Sequence, residues 1–88
     1  MKCSADHVFD FVELTDEYSI YEVPIRAEWI GKSIKEVNVR AMYNVNIIGI
    51  VSDGETIIMP SADYQFHKDD HIKVISDQEC LKKLVKNI

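Results

Sequence analysis

Apolar residues recur with a period of two in several short runs and with a helical spacing in two others, and turn residues separate the runs. From His7 to Leu14 the apolar positions are Val8, Phe9, Phe11, Val12 and Leu14, which predicts a short strand, and Asp16-Glu17 marks a turn. Tyr18 to Ile25 reads as a second strand, with Tyr18, Ile20, Val23 and Ile25 apolar and Glu22 interrupting them. Pro24 suits a strand end or an edge, since proline cannot donate to a ladder. Gly31-Lys32-Ser33 breaks the chain before a helix. Ser33-Ile34-Lys35-Glu36 is a capping box, in which the serine hydroxyl and the glutamate carboxylate each satisfy one orphan amide. Ile34, Val37 and Ala41 would share a face of that helix, while Val39 and Met42 give a second spacing. Asn38, which competes for backbone hydrogen bonds, therefore marks a kink or a break into two pieces. Asn44 stands where a left-handed C-terminal residue is wanted.

Val45 to Val51 is almost wholly apolar and β-branched, as in a central strand. Asp53-Gly54 is a tight hairpin signal, and Thr56 to Met59 is the return strand, ended by Pro60. Ala62 to Phe66 leads into the charged turn Lys68-Asp69-Asp70, and His71 to Ile75 alternates as the last strand. Ser76-Asp77-Gln78-Glu79 reads as a second capping box, opening a final helix with Leu81, Leu84, Val85 and Ile88 on one face. Lys82, Lys83 and Lys86 lie near its C-terminal end, where the helix dipole favours cations. The order is strand, strand, helix, three strands, helix. That order predicts an α+β two-layer sandwich, a mixed or antiparallel sheet with helices on one face. The Asp-Gly hairpin excludes an all-parallel sheet.

Composition narrows the function classes. The 88 residues, 47% of them hydrophobic, suffice for one small core and argue against disorder. A net charge of −5 argues against general nucleic-acid binding. No apolar run approaches the ~20 residues of a membrane-spanning helix. Met1 to Val8 has no apolar core of a secretory signal, so a cytoplasmic location is expected. Cys3 and Cys80 lie near opposite ends without metal spacing and are expected to be free thiols. The charge is uneven along the chain: Arg26, Lys32, Lys35 and Arg40 outnumber Glu28 and Glu36, whereas Ser52 to Glu79 is strongly acidic.

Candidate chemistry is sparse. His67 and His71 have the i, i+4 spacing of a helical zinc pair, but Lys68-Asp69-Asp70 between them reads as a turn, so no shared face is expected. Asp69 and Asp70 are adjacent, and adjacent residues point apart, so they read as a solvated turn. Cys80 lies at a helix start, where the dipole would lower a thiol pKa, yet no motif places a base beside it. Trp29 and the tyrosines are too scattered in sequence for a base-stacking platform. No enzymatic activity is expected.

Three segments, taken in order, resemble one family. They are Tyr18-Ser19-Ile20-Tyr21-Glu22-Val23-Pro24-Ile25, then Trp29-Ile30-Gly31-Lys32-Ser33-Ile34-Lys35-Glu36, then Arg40-Ala41-Met42-Tyr43-Asn44-Val45-Asn46-Ile47-Ile48-Gly49-Ile50. Asp53-Gly54, Pro60 and Asp69-Asp70 follow in the same order. The set is similar to the C-terminal regulatory domain (RCK_C or TrkA-C) of bacterial Trk/Ktr-type potassium-transport subunits. The match runs from Tyr18 to the C-terminus. It divides the chain into an interdomain connection over residues 1–17, with Met1 as an added start, and the regulatory domain over residues 18–88.

The resemblance implies a homodimer. It also implies an N-terminal Rossmann-type domain in the full-length subunit, whose glycine-rich fingerprint this chain lacks, and a membrane channel or transporter subunit as partner. No nucleic-acid partner and no cofactor are implied. In one branch of the family cyclic di-AMP is bound at the twofold axis. Carried onto this sequence, Arg40 and Asn46 would hold the phosphates. Ile34, Val45, Ile47 and Pro60 would wall the adenines, and Asn38 would meet the base edge where relatives often carry an acidic residue. An isologous interface would present each of these residues twice to a ligand that is itself twofold symmetric. The alternative is a ligand-free dimerisation domain that passes on the state of its nucleotide-binding neighbour.

Overall fold

In the computed structural model, residues 10–86 are described. Cys3, His7, Val8, Phe9 and Ile88, with the opening of the expected connection, lie outside them. The first hairpin joins β1 (Asp10–Glu13) to β2 (Ser19–Pro24). Its turn is built on Thr15, whose hydroxyl accepts from the amides of Glu17 (3.1 Å) and Tyr18 (3.0 Å). The second hairpin joins β3 (Asn46–Ser52) to β4 (Glu55–Ile58) through Asp53-Gly54. Both turn residues have positive φ, 52° and 81°, as a type I′ turn requires. The last strand, β5 (His71–Ser76), inserts between the hairpins and gives the order β1-β2-β5-β3-β4. Every pairing is antiparallel, which settles the sheet type.

The helical layer comprises a 3₁₀ turn at Ala27–Trp29, then α1 (Ile34–Val37), α2 (Val39–Tyr43) and α3 (Gln78–Val85). The sheet contributes Tyr21, Val23, Ile50, Ile72 and Val74 to the core, and the helical layer contributes Trp29, Val39, Leu81, Leu84 and Val85. Trp29 packs against Phe66 (ring centroids 5.4 Å apart) and Tyr43 (6.2 Å). Trp29, Tyr43, Tyr64 and Phe66, distant in sequence, therefore converge at the core, whereas Tyr18 stays exposed.

Three expectations need correction. In β2 the inward row is Ser19, Tyr21, Val23 and, beyond the strand, Ile25, while Ile20 lies on the other face. Ser19 stands opposite Ser76 in the register, and both are buried, so a small polar pair occupies the end of the row that a large apolar residue was expected to fill. Ala41 is exposed and Val39 is buried, because Asn38 adopts φ 54°, ends α1 and restarts the helical phase in α2. The cap of α3 is Asp77, whose carboxylate accepts from the Cys80 amide at 2.8 Å. Ser76 is still in the sheet, and its hydroxyl donates to the Asp77 carbonyl at 2.7 Å.

One irregularity shapes β3. Ile47 pairs with Val74 but Gly49 pairs with Lys73, so Ile48 is an extra residue in a β-bulge. The bulge lets Ile47 and Ile50, three positions apart, both stand opposite the fully buried row of Val74 and Ile72. Gly49 admits close approach of β4: a Cβ there would meet the Ile57 carbonyl at 3.3 Å.

Candidate functional site

The helix start at Gly31 to Glu36 is held from two sides. The capping box forms as expected, with the Glu36 amide donating to Ser33 Oγ (3.2 Å) and the Ser33 amide donating to Glu36 Oε1 (2.9 Å). The segment between β4 and β5 then lies along it. Ile34 N–H donates to the Tyr64 carbonyl (3.0 Å), Lys35 N–H to Ala62 (3.1 Å), and Phe66 N–H to Lys32 (2.9 Å). That segment is itself pinned by Asp70, whose side chain is 2% exposed and accepts from the Tyr64 hydroxyl (2.7 Å) and the His67 amide (2.9 Å). Burial pushes the Asp70 carboxyl up, but the hydrogen bonds from the His67 amide, Tyr64 and Ser52, with the charge of His67, together outweigh it and hold the group below the ordinary carboxylate range.

α1, the left-handed Asn38, α2 and the start of β3 together enclose a shallow cavity of ≈170 Å³. Ile34, Asn38, Arg40, Val45, Asn46 and Ile47 all line it. Two further lining residues, Lys35 and Val39, were not singled out from the sequence. Their place depends on the break at Asn38, which swings α2 relative to α1 and is visible only in the fold. Pro60 does not line the cavity. It follows Met59, whose amide donates to the Ile48 carbonyl (2.9 Å), so it lies along the β4 side of the same strand end.

Among the described residues Arg40 makes no ion pair or side-chain hydrogen bond, and its side chain is exposed. The Asn46 side chain is likewise without a protein partner among them. The Lys35 ammonium pairs with Asp63, at 3.5 Å, with both side chains exposed. The basic stretch expected from the sequence divides in space. Arg26 is turned to the other end of the molecule, donating to the carbonyls of Leu84 (2.9 Å) and Lys86 (2.7 Å) and to Glu28 (2.8 Å). Lys35 and Arg40 alone of that stretch line the cavity.

A larger cavity of ≈420 Å³ lies at the opposite end of β5, with Pro24, Ile25, Ala27 and Ile30 as its apolar part. Its Arg26 and Asp70 already have the partners just described. His67 and His71 take different partners. His71 Nδ1 lies 3.0 Å from Glu22 Oε2, His67 Nδ1 lies 3.3 Å from the Tyr64 hydroxyl, and no cluster of metal-ligating side chains forms among the described residues. The Cys80 thiol is pushed up, first by its hydrogen bond to the Asp77 carboxylate and then by burial, which reverses the dipole-based expectation. No helix among the described residues is long and apolar enough to cross a membrane.

Residues 18–88 match the TrkA-C domain model. The chain belongs to the TrkA-C domain family. Ktr system potassium uptake protein C of Bacillus subtilis (strain 168) is 27% identical to this TrkA-C domain over 84 residues, covering 96% of the chain but 38% of the relative. The domain thus spans well under half of that curated relative. Among solved structures it is similar to the RCK C domain of the potassium transport protein KtrA in complex with cyclic diadenosine monophosphate. That likeness has 34% identity and a TM-score of 0.76, covering 83% of this chain and 86% of that one. The RCK_C domain dimer of S. agalactiae BusR in complex with c-di-AMP is 28% identical with a TM-score of 0.66, covering 74% of this chain and 86% of that one. BusR is also known in complex with its busAB-promotor DNA, in a longer chain of which this domain covers 34%.

Proposed function

We propose that this TrkA-C domain is the ligand-sensing part of a regulatory subunit for potassium transport, and that it binds cyclic di-AMP across the twofold axis of a homodimer. The reading is carried by one observation: Ile34, Asn38, Arg40, Val45, Asn46 and Ile47, from α1 to the start of β3, converge on a cavity of ≈170 Å³ whose guanidinium has no partner among the described residues. Ligand cavities run to ~300–1,000 Å³, so this is the size of a half-site. A second copy would double it and present two arginines and two asparagines to two phosphates. A guanidinium can hold a phosphate through two parallel hydrogen bonds and can also stack on adenine. Ile34, Val45 and Ile47 supply apolar wall, and Asn38 offers a donor and an acceptor to the base edge. The complexes of the KtrA and BusR domains with c-di-AMP support the choice of ligand.

In the full-length subunit the domain would follow a Rossmann-type domain and act in the cytoplasm on a membrane channel or transporter subunit. Nucleic acid has no part in this reading, since the acidic chain, with a net charge of −5, lacks the basic balance such a partner calls for.

Calorimetric titration with cyclic di-AMP is the test. A charge-assisted hydrogen bond contributes ~1.5–3 kcal/mol, and symmetry removes it twice in Arg40→Ala. The variant is expected to bind hundreds-fold more weakly than wild type while keeping its melting midpoint. Equal affinities would remove Arg40 from the site. No heat with wild type, at concentrations that keep it dimeric, would leave the ligand-free dimerisation reading.

A further inference from the structure

We propose that Lys35 is a second phosphate-binding cation of the half-site and that Asp63 competes with the ligand for it. The proposal rests on the cyclic di-AMP reading. It adds a residue that neither the sequence nor the arrangement of Arg40 and Asn46 requires.

Three observations carry it. Lys35 lines the same cavity as Arg40 and Asn46. Its ammonium lies 3.5 Å from Asp63, with 69% of the lysine side chain and 80% of the aspartate side chain exposed. An exposed pair at that distance stabilises the fold very little, so little opposes its exchange for a better anion. Finally, the pair is local by construction. Lys35 N–H donates to the Ala62 carbonyl (3.1 Å), and Asp63 N–H donates to Ser61 Oγ (3.2 Å). The backbone thus fixes the carboxylate beside the stem of Lys35 while both charged ends stay in solvent.

A lysine ammonium is a compact charge on a four-carbon stem, with reach enough to turn from the loop to the cavity it borders. In the dimer the ligand would meet two Arg40 and two Lys35 around its two phosphates. Each Lys35 must leave Asp63 to join them. The carboxylate, left in solvent, then stands near the phosphate as a like charge. Asp63 therefore lowers affinity by two routes, and only one of them passes through Lys35.

The test is a double-mutant cycle on the 88-residue chain, titrated with cyclic di-AMP at two salt concentrations. Lys35→Gln is expected to weaken binding about tenfold or more and to flatten its salt dependence. Asp63→Asn is expected to tighten binding by about two- to fivefold. In the Lys35→Gln background most of the Asp63→Asn gain should vanish. Equal affinities of wild type and Lys35→Gln would overturn the role of Lys35 while leaving Arg40 untouched. An undiminished Asp63→Asn gain without Lys35 would overturn the competition, reducing Asp63 to a general repulsion. Absence of wild-type binding would overturn the proposed function, and this inference with it. Lys35→Arg should bind like wild type, and its failure to do so, with an unchanged melting midpoint, would also count against a purely ionic role.

Discussion

A carboxylate with only 2% of its side chain exposed needs donors, and Asp70 has the Tyr64 hydroxyl and the His67 amide. Because its pKa is held below that of an ordinary aspartate, the unfolded chain takes up the proton first as pH falls. The stabilisation is complete above the unfolded value of about 4 and is lost as pH falls through the folded one. Asp70→Asn keeps an acceptor oxygen but removes this titration. Thermal melts followed from pH 6 to pH 2 should therefore fall less steeply for Asp70→Asn than for wild type, and parallel curves would refute the assignment. From sequence Asp70 looks like half of a solvated turn. Its neighbour Asp69, exposed with φ 70°, fits that reading, but the two side chains point to different environments. Asn44 shows the opposite case. Its left-handed conformation, φ 59°, is legible because few other residues tolerate it at a helix end.

At the level of elements, a strand or helix stands among the described residues in each run where the pattern placed one, because alternation and capping are local signals, while the 3₁₀ turn at Ala27–Trp29 had no such signal. The phase within an element was less legible. The inward row of β2 includes Ser19, which no apolar count would choose, and the helical face changes at Asn38 because one residue leaves the helix. The bulge at Ile48 has no signal in a run of isoleucines and glycine, since it is set by what β4 and β5 require of β3. The Asp53-Gly54 hairpin is the clearest success of local reading, and it carries a prediction. Gly54 has φ 81° with open space around it, so Gly54→Val meets no clash and is opposed by backbone conformation alone. A β-branched residue there should cost about 1–3 kcal/mol, read as a lower denaturation midpoint with unchanged m-value. An unchanged midpoint would contradict the type I′ assignment.

For the whole molecule, the convergence of Arg40 with Asn46 followed from the family resemblance, whereas the entry of Lys35 and the standing aside of Pro60 required the fold. The burial pattern of β4 is exposed throughout, its outer edge has no partner strand among the described residues, and its Ile57 and Ile58, with Met59 just beyond it, are 39%, 65% and 82% exposed. These residues adjoin the strand end that opens the cavity, so a second copy docking there would bury them and complete the site together. At ~25 cal/mol per Å² even a modest interface gains much from such side chains. Sedimentation at micromolar concentration is expected to give a dimer for wild type and a monomer for Ile57→Asp, with cyclic di-AMP binding lost in the same variant. A monomeric wild type would exclude the dimer, and a dimeric Ile57→Asp would move the interface away from β4.

The strand order also has a consequence for how the chain is made. β5 is last in sequence and central in space, with β2 on one side and β3 on the other. During synthesis, everything up to Asp70 amounts to two separate hairpins with four strands and no sheet between them. Neither can bury the row that Val74 and Ile72 will cover, and a lone hairpin is marginal in water. The ribosome must therefore release nearly the whole domain before its core can form, and the half-site is assembled only at that moment. A chain cut before His71 would lose the strand that joins the two hairpins, whereas losing β1 would remove only an edge.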